Sequence, residues 1–190
     1  DLSSLSAGTY STIVFDSNGC ETSIDFTVSE PDEFIASATI QNPACFGEEG
    51  DVSITIEQGS TEPYDYSWYM GQDGELTSLG FPGDVASLTL NSGDYTTIVT
   101  DANGCQTSVE FTVSEPGLLS ASALVSNVSC SGLNDGFAEL TIEGGTAPYE
   151  TEDLSDLFSG TYTTTVIDAN GCGTLVEFTI SEPDADPIYD

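Results

Sequence analysis

The sequence predicts an all-β fold: tandem immunoglobulin-like β-sandwich modules in an extended array. Three observations carry this. One string occurs three times, at 8–20, 93–105 and 160–172, each time running on to a closing Ser-Glu-Pro (Ser29-Glu30-Pro31, Ser114-Glu115-Pro116, Ser181-Glu182-Pro183). Apolar residues alternate with polar ones along many short runs, the period of half-buried strands. Turn residues punctuate these runs at regular intervals, and no run keeps a 3.6-residue apolar period. A recurring string must be recognised before the rest is read, because it sets the units. Here the units are 1–31, the second half of a repeat; 32–116, a complete repeat; 117–183, a repeat with a shortened middle; and 184–190, a tail or linker.

The leading piece reads as a hairpin. Tyr10, Thr12 and Val14 alternate with Ile13 and Phe15, and Ile24, Phe26 and Val28 alternate with Ser23, Asp25 and Thr27. Between them Asp16-Ser17-Asn18-Gly19 forms a turn whose Asn-Gly supplies positive φ. Pro31 ends the strand, since proline cannot donate to a ladder.

In the complete repeat the reading gives a first strand at 34–40, a turn at 45–51, and a second strand through Val52, Ile54 and Ile56. An aromatic third strand follows at 64–69. An irregular stretch, 71–84, holds at most one short strand. Strand 85–90 comes next, and then the hairpin over 93–113. The last repeat gives strands at 118–128 and 137–142 and the loop Gly144-Gly145-Thr146-Ala147-Pro148-Tyr149. It then shortens. Cys130 lies 85 residues after Cys45, but Cys172 lies only 67 after Cys105. Only residues 150–157 stand where the complete repeat has its tryptophan strand and long connection. A Gly-x-Tyr opens each penultimate strand, and a tyrosine there bonds back to nearby backbone as a tyrosine corner. Tyr10, Tyr95 and Tyr162 hold that position.

Charge narrows the partners. The 190 residues include 33 Asp and Glu and no Lys, Arg or His, for a net charge of −33. Ordinary proteins carry both signs. No cation is available for phosphate, so nucleic acid is not an expected partner. No basic patch faces anionic lipid, and no signal peptide or membrane-spanning run is visible, so no direct membrane insertion is expected. Normal aliphatic and aromatic content separates the chain from a disordered acidic tail. The chain begins inside a repeat, which reads as a segment of a larger protein.

The same composition excludes most catalysis. Without His or Lys there is no Ser-His-Asp, Cys-His or Ser-Lys nucleophile and no Schiff base. No Cys-x-x-Cys and no phosphate loop occur. A carboxylate pair is the one remaining device, and 33 acids give no means of choosing one. The expectation is no enzyme and no required cofactor. Calcium is the ion such oxygens fit. Its candidate ligands are Asp16 and Asn18, Asp101 and Asn103, and Asp168 and Asn170, with Glu48, Glu49 and Asp51 as a further group. The plainer reading gives these Asp and Asn side chains to turn hydrogen bonds. Asn127-Val128-Ser129 is read as an incidental glycosylation triplet.

Five cysteines in a repeat suggest disulfides in an oxidising compartment. Two pairings fit the spacing. Within units, Cys45 joins Cys105 and Cys130 joins Cys172, leaving Cys20 unpaired within this chain. Across units, Cys20 joins Cys45 and Cys105 joins Cys130, each pair 25 residues apart. The across-unit pairs are separated by two strands in series, and ten residues of strand cover about 30 Å. A disulfide holds its Cα atoms about 5.5 Å apart. The within-unit pairing is therefore expected, with buried free thiols as the remaining reading.

One combination of motifs is specific. Cys-x-Gly-x-x-x-Gly, an alternating strand, Gly-Gly-Thr-Ala-Pro-Tyr, then Leu-x-x-Gly-Thr-Tyr-x-x-x-Val-x-Asp-Ala-Asn-Gly-Cys and Ser-Glu-Pro resembles the SprB-type repeat of large surface adhesins of gliding Bacteroidetes-type bacteria. The resemblance covers 34–116 and 118–183, and in 3–31 only the second half of the motif. It implies immunoglobulin-like modules, export to the cell surface, and an adhesin or stalk role without enzyme activity. Expected partners are neighbouring repeats, identical subunits or a surface polysaccharide, the last met by exposed aromatics of 64–69. Trp68 is better read as a core anchor. The second expectation is a subunit of an extracellular filament, in which strands of a neighbouring chain complete the hairpin of 1–31, since an isolated hairpin is marginal.

Overall fold

In the computed structural model, residues 4–71 and 76–183 are described. The predicted tail, 184–190, lies outside them. Every described element is a strand.

The leading hairpin is β1 (Gly8–Phe15) and β2 (Glu21–Val28), in unbroken register from Gly8 opposite Val28 to Phe15 opposite Glu21. Among the described residues these two strands pair only with each other.

The middle unit is a sandwich of two sheets. One holds β3 (Ile35–Gln41), β4 (Gly50–Gln58) and β7 (Ser87–Leu90) in the order β3-β4-β7. The other holds β5 (Asp65–Met70), β6 (Thr77–Ser78), β8 (Gly93–Thr100) and β9 (Gln106–Val113) in the order β6-β5-β8-β9. All pairings are antiparallel. This is the immunoglobulin-like arrangement. Alternation places Val52, Ile54 and Leu90 from the first sheet against Tyr66, Trp68, Tyr95, Val99, Val109, Phe111 and Val113 from the second. Trp68 is 2% exposed, donates its indole N–H to the Val85 carbonyl at 2.9 Å, and meets Phe111 edge to face. It is the core anchor; Tyr66 is buried beside it and Tyr64 half-buried.

The last unit keeps β10 (Ser120–Ser126) with β11 (Phe137–Glu143), and β12 (Gly160–Ile167) with β13 (Gly173–Ile180). Counterparts of β5, β6 and β7 do not form as strands. Residues 150–157 leave two single bridges, Glu150 to Ile167 and Leu157 to Gly136, and insert Leu154 and Leu157 against the core. In the middle unit β5 covers the outer edge of β8 over six residues; among the described residues the matching edge of β12 is bridged only at Ile167.

Candidate functional site: the two turns at the ends of each unit

The hairpin turn is built the same way three times. In each copy Asp Oδ1 accepts from the backbone N–H two and four residues on: Asp16 from Asn18 and Cys20 (both 2.8 Å), Asp101 from Asn103 and Cys105 (both 2.9 Å), Asp168 from Asn170 and Cys172 (both 2.9 Å). The glycine of each turn has positive φ (Gly19 +86°, Gly104 +82°, Gly171 +87°). The asparagines do not, so glycine alone supplies the left-handed residue, and asparagine contributes its side-chain amide.

In the two larger units a second loop locks this turn. Thr61 donates its N–H to Asp101 Oδ2 at 3.2 Å and accepts from the Ala102 N–H, and Asn103 Nδ2 donates to Thr61 Oγ1. Thr146 does the same for Asp168, Ala169 and Asn170. Asp101 is only 6% exposed and Asp168 only 3%. Burial pushes both carboxyls up. For Asp101 the backbone donors of Cys105, Asn103 and Thr61 outweigh it; for Asp168 those of Thr146, Cys172, Asn170 and Gly171 do. Both are held below the usual carboxylate range. Asp16 has no such loop, lies exposed, and is lowered by the Cys20 and Asn18 N–H groups. The calcium candidates of these turns thus aim their carboxylates at backbone N–H. Among the described residues no three His, Cys, Asp or Glu side chains gather where they could hold a metal ion.

The three tyrosines each donate to the carbonyl four residues upstream: Tyr10 to Ser6 (2.8 Å), Tyr95 to Asn91 (2.9 Å), Tyr162 to Phe158 (3.0 Å). Each stacks on its cross-strand phenylalanine at 5.6–5.7 Å.

The first turn, at the other end of each unit, also has one design. The Glu48 N–H donates to the Cys45 carbonyl, and the Leu133 N–H to the Cys130 carbonyl. Gly47 (φ +79°) and Gly132 (φ +81°) occupy matching positions. The glutamate of Ser-Glu-Pro clamps this turn. Glu115 accepts from the Gly47 N–H and the Ser92 hydroxyl, and is lowered by them in that order. Glu182 accepts from the hydroxyls of Ser131 and Ser159. Asn42 and Asn127 cap the end of the last strand by accepting the N–H of Ser114 and Ser181. The glycosylation triplet therefore contains a structural asparagine.

The cysteine pairing differs from both expectations. Cys45 is bonded to Cys172, with Cα atoms 5.7 Å apart. Cys105 and Cys130, expected to pair with Cys45 and Cys172, are free and exposed, as is Cys20. The physical reason is strand length. The first turn lies beside the end of the last strand, as the Gly47 to Glu115 bond shows, and the hairpin turn lies at that strand's start. Eight residues of strand separate them, about 26 Å. Within one unit the two cysteines sit at opposite ends. The bond instead joins the first turn of the middle unit to the hairpin turn of the last one. At that junction Asn170 Nδ2 also donates to the Ala44 carbonyl at 3.0 Å.

Sequence reasoning missed Thr61, Thr146, Glu115 and Glu182. Their signal was recurrence: Thr precedes x-Pro-Tyr in both loops, and the glutamate sits in every Ser-Glu-Pro.

Comparison with known proteins adds the following. No curated protein matches. Among solved structures the chain is similar to three N-terminal domains of the bacteriophage RB49 Highly Immunogenic Outer Capsid protein (Hoc), at 20% identity and TM-score 0.42, over 78% of this chain. The chain spans 59% of that one. The SprB repeat model matches residues 37–73, from the first strand through the tryptophan strand, and 122–150, from β10 to the Pro-Tyr loop. SprB repeats occur in cell-surface proteins, and an inter-unit disulfide is consistent with an extracellular location. The two matched segments are similar to the SprB repeat, and each carries the first turn and its cysteine, Cys45 in one and Cys130 in the other.

Proposed function

We propose that this chain is a non-enzymatic segment of a cell-surface adhesin or stalk, in which repeated sandwiches hold a binding region away from the cell. The observation behind this reading is the Cys45–Cys172 bond together with the Asn170 to Ala44 hydrogen bond, which tie one unit to the next at their ends. A covalent link of that kind serves load transfer, and it leaves the stability of each unit mostly local. A surface polysaccharide is the proposed ligand class, with half-buried Tyr64 and its neighbours Glu62 and Asp84 at the rim of a shallow hollow. Bead-displayed chain should be retained on polysaccharide-coated surfaces under flow, and Tyr64→Ala should reduce retention without changing the folding transition. No retention on any acidic, neutral or aminated polysaccharide would remove the adhesive part and leave the stalk. In this reading calcium at the acidic ends is a stabiliser rather than a cofactor. At fixed ionic strength, a melting temperature unmoved between calcium and chelator would remove it.

A second reading, a subunit of an extracellular filament, is favoured by the leading hairpin. Val14 is 51% and Ile24 56% exposed, while their counterparts Val99 and Val109 are 0% and 9%. This apolar face fits strands that residues 4–31 do not contain, and strand addition from a neighbouring chain would supply them. Electron microscopy of the purified chain across concentration tests it. Head-to-tail polymers support the filament, and monomers throughout count against it.

A further inference from the structure

We propose that the first turn around Cys130 is a socket for the hairpin turn of a second copy of this chain, closed by a disulfide from Cys130 to that copy's Cys20. The inference goes beyond the adhesin reading and does not depend on it. One such junction is present within the chain: a first turn holds a hairpin turn of the following unit through Cys45–Cys172 and the Asn170 to Ala44 bond. Both halves of that junction recur among the described residues with their cysteines free. The first turn of the last unit presents Cys130 as the middle unit presents Cys45, with the same backbone closure (Leu133 to Cys130, 3.2 Å; Glu48 to Cys45, 3.3 Å) and the same left-handed glycine. The hairpin turns at 16–20 and 101–105 present Cys20 and Cys105 as Cys172 is presented, on the same paired aspartate hydrogen bonds. All three of these thiols are exposed and free.

The structure also chooses between the two plugs. The end of the middle unit that carries Cys105 receives the chain's own incoming segment. Residue 33 passes so close to Gly59 that a Cβ there would overlap the Glu33 carbonyl, as Leu118 passes Gly144 at the end that carries Cys172. In that formed junction the partner cysteine belongs to the unit from which the segment enters, and at the Cys105 end that place is taken by the leading hairpin. Among the described residues Cys20 has no such neighbour, and it stands at the far end of an eight-residue hairpin. Bond formation needs a small-molecule disulfide as oxidant. One protein thiolate attacks it and releases a small thiolate, leaving a mixed disulfide. The second protein thiolate then displaces the other half, so one small disulfide becomes two thiols as one protein disulfide forms.

The test uses the chain of 190 residues in an oxidised/reduced glutathione buffer at about 1 M NaCl, where a Debye length of about 3 Å screens repulsion between acidic copies. After alkylation, non-reducing gels and peptide mapping with a Glu-specific protease follow (trypsin has no site in a chain without Lys or Arg). The expected result is a ladder of covalent multimers whose new cross-link is Cys130 to Cys20. Cys130→Ser and Cys20→Ser should each abolish the ladder while Cys45–Cys172 still forms, which reports a folded junction. Four results would overturn the proposal: monomer in a sample with Cys45–Cys172 intact, Cys130 joined to Cys105, like joined to like, or a statistical mixture.

Discussion

Thr97 is 0% exposed, and among the described residues its hydroxyl has no hydrogen-bond partner. It sits on β8 opposite Trp68 on one side and Val109 on the other, in the middle of the apolar core. A buried hydroxyl without a partner costs about 1–3 kcal/mol relative to its place in water. Thr97→Val removes that cost with a side chain of the same branched shape, so it leaves no cavity. The middle unit should gain about 1 kcal/mol or more, which for a domain of this size raises its melting temperature by roughly 4–8 °C per kcal/mol. Trp68 is the only tryptophan in the chain and lies in this core, so its fluorescence during urea unfolding follows this unit alone. The control is Thr164→Val on β12. Thr164 is just as buried, but its hydroxyl donates to Glu152 at 3.4 Å, so it should gain less or lose stability. An unchanged or lowered midpoint for Thr97→Val would refute the reasoning, since it would mean that the hydroxyl is satisfied in the folded state.

Three further outcomes are expected. Tyr95→Phe leaves the Asn91 carbonyl without its donor and should cost about 1 kcal/mol in the tryptophan-detected transition. Asp101 is held below its ordinary range when folded, so its contribution is present above the unfolded value of about 3.9 and is lost as pH falls through the lowered folded value. Acid titration of unfolding should show that loss below about pH 4, and Asp101→Asn should lower stability at pH 7 and flatten the acid limb. Raising NaCl should raise the melting temperature monotonically, because the chain has 33 like charges to screen and no Lys, Arg or His whose ion pairs salt would weaken; a salt-independent melting temperature would contradict this.

Strand and turn positions were legible in the sequence because each is a local pattern. The alternation through Val52, Ile54 and Ile56 and the Asp-x-Asn-Gly turns define β4 and the hairpins within a residue or two of where they form. Cysteine pairing was not legible, because it depends on which end of a sandwich each turn occupies, and that is a parity. From Cys45 the chain traverses β4, β5, β6, β7 and β8 before Cys105. Five reversing strands end at the opposite pole, whereas four would return to the same one. The deciding strand is β6, two residues long and inside the irregular stretch 71–84. Its pairing with β5 comes from Tyr69 and Met70, so no period announces it. Strand length separates the within-unit pairs as it separates the 25-residue pairs, since eight residues of β9 lie between the two ends of the middle unit.

The absence of cations has a structural counterpart. In most proteins a buried carboxylate is matched by Arg or Lys, and here it cannot be. Asp101 and Asp168 are nonetheless the most buried acids among the described residues, and each accepts hydrogen bonds from three backbone N–H groups within a residue-for-residue copy of the same loop contact. Glu115 likewise takes a backbone N–H and a hydroxyl. Charge-assisted bonds of this kind are worth about twice a neutral one, and their donors belong to the fold itself. The hairpin turn and the first turn are therefore set by the backbone before any partner arrives. That accounts for why turns in different units present their cysteines in one geometry, and why a junction formed once between Cys45 and Cys172 is a template for others.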